Sequence, residues 1–69
     1  MINENKQLIC DKLLEALQLT RQMEDLTALT FDPETEIVTA KFKGGSKKIN
    51  VACDSGYSMI SDLIVYLDL

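Results

Sequence analysis

The stretch LTALTFDPETEIVTAKFKGGSKKINVAC, residues 26–53, decides the fold. Leu26 to Phe31 has a period of two and is rich in β-branched and aromatic side chains, the marks of a short strand. Asp32-Pro33-Glu34-Thr35 then supplies a turn: proline presets its own φ, and the Asp32 carboxylate is placed to accept from the backbone just beyond it. From Glu36 to Phe42 the alternation is clean, with Val38, Ala40 and Phe42 on one side and Ile37, Thr39 and Lys41 on the other. Lys43-Gly44-Gly45-Ser46 reads as a second turn, where glycine allows the positive φ that tight hairpins use. Lys47 to Cys53 reads as a third strand, with Ile49, Val51 and Cys53 toward the core and Lys48, Asn50 and Ala52 away from it. Two short turns joining three strands make an antiparallel meander.

On either side of this stretch the hydrophobic period becomes helical. From Glu4 to about Glu24, Ile9, Leu13, Ala16, Leu17 and Met23 recur at three- and four-residue spacing, with Asp11, Glu15, Gln18 and Gln22 opposite. Asn3 is the expected N-cap, and Glu4 suits the positive first turn. Leu8, Cys10, Leu14 and Leu19 widen the apolar arc beyond what one small sheet covers. After Asp54-Ser55-Gly56, a cap signal, Met59, Ile60, Leu63, Ile64 and Leu67 repeat at helical spacing to the end of the chain. Asp68 and the terminal carboxylate lie at the negative end of this helix, so its last turn should fray.

The expected fold is therefore α+β, in the order α-β-β-β-α: a three-stranded antiparallel meander sheet with both helices packed on one face, forming a single domain over residues 1–69. Leu29, Phe31, Val38, Ala40, Phe42, Ile49, Val51 and Cys53 should meet the helices, leaving Thr30, Thr39, Lys41, Lys48 and Asn50 on the open face. The element order resembles that of the double-stranded RNA-binding domain over almost the whole chain. That family reads RNA with lysines at the start of its last helix. The corresponding stretch here, Asp54-Ser55-Gly56-Tyr57-Ser58-Met59, holds no cation, so the resemblance stops at the order of elements.

Charge is unevenly placed. Ile37 to Cys53 carries Lys41, Lys43, Lys47 and Lys48 and no carboxylate, a +4 segment inside a background of −8. Such polarity points to a surface that meets a partner. Apolar residues make up 46% and charged residues 26% of the chain, proportions of a globular domain. At 69 residues the core is near the size where burial barely outweighs chain entropy, so a second copy or a partner would add stability. No apolar run approaches the roughly 20 residues that span a bilayer. The first residues lack the basic-then-apolar layout of an export signal, and a cytoplasmic location is expected. Cys10 and Cys53 are expected to be reduced.

The chain contains no histidine, which removes the commonest general base and metal ligand. Cys53 stands beside a helix start that can activate a thiol, yet no histidine or local arginine accompanies it, and a small core side chain is the expected role. The N-H groups at Ser55-Gly56-Tyr57-Ser58 suit an anion, but the segment lacks a phosphate-loop lysine and follows Asp54. Asp32, Glu34 and Glu36 are spaced two apart like the start of a calcium loop, without its glycine and closing glutamate, and read as hairpin charge. No enzyme, cofactor or metal site is expected. The expected function is that of a small non-enzymatic interaction or accessory protein, of the kind encoded by phages and bacterial mobile elements. It would be homodimeric or bound to a protein partner, burying Leu8, Leu14 and Leu19 with Tyr66 and Val65, or adding a strand at a sheet edge. One alternative is nucleic-acid binding through the hairpin of Lys41, Lys43, Lys47 and Lys48, the lysines clamping phosphates. Another is an acidic inhibitor that imitates nucleic acid with Glu4, Asp11 and Glu15.

Overall fold

A computed structural model of the chain describes residues 5–68. The elements are α1 (Lys6–Leu17), β1 (Leu26–Asp32), β2 (Ile37–Phe42), β3 (Gly45–Asn50) and α2 (Gly56–Leu67). The strands pair antiparallel in the order β1-β2-β3, and the α-β-β-β-α meander expected from the sequence is the architecture observed. One cluster forms the core: Cys10 from α1, Leu29, Val38, Ala40, Ile49 and Val51 from the sheet side, and Met59, Leu63 and Leu67 from α2, joined by Met23 and Leu26. Leu63 and Met59 are fully enclosed, at the spacing of one helical turn.

The first helix is shorter than its apolar period suggests. Asn5 caps it, its side-chain oxygen accepting from the Leu8 N-H at 2.9 Å; Asn3 and Glu4 lie outside the described residues. It stops at Leu17 rather than near Glu24. Just beyond, the Thr20 N-H and hydroxyl both donate to the Leu17 carbonyl, at 2.9 and 2.7 Å, closing the last turn. Met23 does reach the core, as the periodicity implied, but from the connecting turn, where its carbonyl accepts from the Leu26 N-H. Cys10 is the buried residue of α1, whereas Ala16, which the spacing places on the inward arc, is exposed.

The two hairpins handle backbone strain differently from expectation. Gly44 and Gly45 both keep negative φ, so the Phe42↔Gly45 turn makes no use of glycine's left-handed freedom. The positive φ, 55°, falls instead on Glu36, at the end of the β1-β2 loop, a position that closes four-residue hairpin loops. Asp32 acts as read from the sequence, its Oδ1 accepting from the Glu34 N-H at 2.9 Å. The third strand also ends early, at Asn50. Val51 still donates to the Glu36 carbonyl at 2.9 Å and is fully buried, but the chain then turns and Cys53 is exposed rather than in the core. Ser55 caps α2, accepting from the Ser58 N-H. Among the described residues, no helix is long and apolar enough to cross a membrane.

Candidate interaction surfaces

Strand register divides the basic hairpin. Ala40 pairs with Lys47 and Val38 with Ile49, so Lys47 shares the helix-facing side of the sheet with the core residues. Thr30, Thr39 and Lys48 form a row on the opposite side, next to the row Ala28, Lys41 and Ser46. Lys47 is half-buried, and its ammonium donates to the carbonyls of Tyr66 and Leu67 at 3.3 and 3.4 Å, 5.9 Å from the centre of the Phe42 ring. A cation there meets the negative end of α2. Lys41, Lys43 and Lys48 remain exposed at the hairpin and on the open face. The expected four-lysine patch is thus three presented lysines and one that holds the second helix to the sheet.

Lys6, counted in the sequence only as background charge, has a comparable role at the other end. Its ammonium donates to the Val51 carbonyl at 3.0 Å and to Glu36 Oε1 at 3.3 Å, and lies 5.9 Å from the Phe31 ring centre. Nothing local marks it, because its partners are 30 and 45 residues away. Asp32 is spent on its own turn and Glu36 on Lys6, which accounts for two of the three carboxylates with calcium-loop spacing.

The sheet's two edges differ. Antiparallel pairs alternate between those that exchange ladder hydrogen bonds and those that do not. The bond from Val51 to Glu36 sets the phase: Lys47 and Ile49 turn their N-H and C=O toward β2, while Ser46, Lys48 and Asn50 turn theirs outward. The same phase turns the Phe31 N-H outward on β1. There two glutamines, Gln7 of α1 and Gln18 at its C-cap, cover part of the edge: Gln7 Oε1 accepts from the Phe31 N-H at 2.8 Å, and Gln18 Nε2 donates to the Leu26 carbonyl at 3.1 Å. Among the described residues no such side chain reaches the outward groups of Ser46, Lys48 and Asn50. A groove of about 230 Å³ runs beside them, lined by Lys48, Ile49, Asn50 and Tyr66.

The apolar surplus lies mainly on α2. Leu8 is half exposed, Leu14 packs against the core, and Leu19, 89% exposed, sits in the turn after α1, so these three do not form one helical stripe. On α2, by contrast, Tyr57, Ile60, Ser61 and Ile64 share a face at helical spacing. Tyr57 is 85% and Ile64 49% exposed. Ile64 separates two clefts: one of about 210 Å³ with Tyr57, Ile60 and Ser61, and one of about 300 Å³ with Leu17, Thr20, Gln22, Met23 and Asp68.

Two titratable groups among the described residues are shifted from their ordinary values. Burial, with Asp11 next to it, pushes the Cys10 thiol up to about 11, so it stays protonated and unreactive. The Asp54 carboxyl is raised because it faces the Asp62 carboxyl, with partial burial adding to the effect and Lys6 opposing it. Asp54 Oδ2 is enclosed and finds no donor among the described residues, and two ionised carboxylates offer each other only acceptors. Because the folded value is the higher one, this carboxyl's contribution to stability is fully present below the ordinary value of 3.8 and lost as pH rises through the raised one. Asp62→Asn, which gives Asp54 a permanent amide donor, should raise the melting temperature at neutral pH more than in acid. Thermal denaturation of both proteins across that range checks this, and a difference that is flat with pH contradicts it.

Compared with family models, with curated proteins and with solved structures, the chain matches none of them.

Proposed function

We propose that the chain is a non-enzymatic interaction protein that works by presenting the outer face of α2 to a second copy of itself. The observation that carries this reading is the position of Ile64, half exposed between two adjoining apolar clefts, with Tyr57 standing almost free beside it. A water-facing apolar strip of this kind on a small domain marks a contact surface. Its charge pattern suits self-association: Tyr57, Ile60, Ser61 and Ile64 are all uncharged, so an antiparallel pairing of two α2 helices sets no like charges against each other at its centre. Size supports the same reading, since a 69-residue core gains most from added burial. Half-exposed Leu8 and exposed Leu19 supply further apolar area at the margins, as does Val65.

Light scattering from micromolar to millimolar concentration tests the proposal. The wild-type mass is expected to rise toward that of a dimer, and Ile64→Glu, which places a charge at the centre of the strip without disturbing the core, is expected to remain monomeric throughout. A wild type that stays monomeric at millimolar concentration, or an Ile64→Glu protein that associates equally well, would sink it.

A further inference from the structure

We infer that the open edge of β3 receives an extended acidic segment of a partner protein as a fourth strand, with alternate side chains read by Lys48 and Lys41 on one side and by the Ile49–Tyr66 groove on the other. This uses a different surface from the outer face of α2 and does not depend on it.

Three observations meet at this edge. First, Ser46, Lys48 and Asn50 turn N-H and C=O groups outward, and an antiparallel peptide strand carries the matching sequence of acceptors and donors. The opposite edge suits this less well, because Gln7 of α1 and Gln18 at its C-cap already occupy the Phe31 N-H and the Leu26 carbonyl. Second, the groove of about 230 Å³ lies along this edge on the helix side, between Ile49 and Tyr66, where every second side chain of an added strand would point. Third, the other alternate positions would lie over the open face next to Lys48, with Lys41 one strand further in and Lys43 at the hairpin tip. The only carboxylate in the open-face rows is Asp32, at the far end of the sheet and two strands away in the row Asp32, Ile37 and Asn50. The preferred segment therefore alternates acidic and apolar residues.

Charge also decides between occupants. A second copy pairing β3 with β3 about its middle would set Lys48 against Lys48, and like charges directly opposite destabilise a strand pair. Lysine on an exposed edge guards against such self-pairing, and the same cation attracts a carboxylate. Nucleic acid is the weaker fit. Single strands are held by stacking bases on aromatic rings, and none of the open-face residues, Ala28, Thr30, Ile37, Thr39, Lys41 or Lys48, is aromatic.

The test uses the full chain and four labelled probes: a peptide alternating Glu and Val, its counterpart alternating Lys and Val, the acidic peptide N-methylated at alternate residues, and an oligothymidylate. Fluorescence anisotropy measures binding, and NMR amide exchange locates it. The acidic peptide is expected to bind and to slow exchange of the Ser46, Lys48 and Asn50 amides about tenfold or more, leaving the Thr39 amide, already bonded within the sheet, unchanged. The lysine and N-methylated peptides should not bind. Lys48→Glu should weaken the acidic peptide about tenfold and admit the lysine peptide, whereas Ile64→Glu should leave binding unchanged. Absence of slowed exchange at millimolar acidic peptide overturns the inference. So does binding indifferent to Lys48→Glu, or binding of the oligothymidylate in place of the peptide.

Discussion

Leu63→Ala is expected to lower stability by about 2–5 kcal/mol, the usual cost of emptying a buried leucine site in a core. Leu63 is fully enclosed, one turn from Met59 and Leu67 on the helix face that covers the sheet. A domain of 69 residues has a total stability of roughly 3–10 kcal/mol at typical per-residue values. One methyl-rich side chain therefore accounts for much of the margin. With each kcal/mol worth about 4–8 °C at this size, the melting temperature should fall by roughly 8–40 °C. Ile64→Ala, one residue further on, is the control. Its side chain is half exposed, about 100° round α2 from Leu63, and at concentrations where the monomer dominates its loss should cost about 1 kcal/mol or less. Thermal melts of the two variants check the pair. Equal losses would show that α2 does not sort its residues into a core face and a presented face, which removes the basis for Ile64 as a contact residue.

Much of the fold was legible from residues 26–53, because a period of two can be read locally and its phase tells which side chains share a face. Val38, Ala40 and Ile49 lie in the core as their alternation required, and Thr30, Thr39, Lys41, Lys48 and Asn50 lie on the open face. The errors came where a period was carried beyond the backbone that supports it. Met23 is in phase with α1 and reaches the core, yet the helix has already ended, because Thr20 closes it and the chain must turn back to begin β1. Cys53 is in phase with Val51, yet the ladder ends with Val51 and the turn at Ala52 releases the alternation. Positive φ was assigned to the glycines by residue type, whereas the four-residue loop places it on Glu36 by geometry. The candidate surfaces were less legible. The closing of one sheet edge by Gln7 and Gln18, and the tether from Lys6 to Val51, join residues far apart in the chain, and no local pattern announces them.

The division of the basic hairpin follows from the alternation of its third strand. Lys47 has the same parity as Ile49 and Val51 and so belongs to the helix side, whereas Lys48 has the parity of Asn50 and faces out. The pleat thus sets the two neighbouring lysines on opposite faces of the sheet. Lys47 donates to the carbonyls of Tyr66 and Leu67 at the end of α2, and its charge opposes the negative end of the helix dipole. Reversing that charge removes the cation and installs an anion where anions are least favourable, for an expected loss of about 1–3 kcal/mol. Reversing Lys48, an exposed residue with no such contact, should change stability by no more than about 0.5 kcal/mol.

Both the presented edge of β3 and the anchoring of α2 depend on this division, so paired denaturation of Lys47→Glu and Lys48→Glu tests the account most directly. The account predicts that Lys47→Glu melts well below the wild type while Lys48→Glu melts with it. Equal shifts in the two variants, or a larger loss in Lys48→Glu, would contradict it.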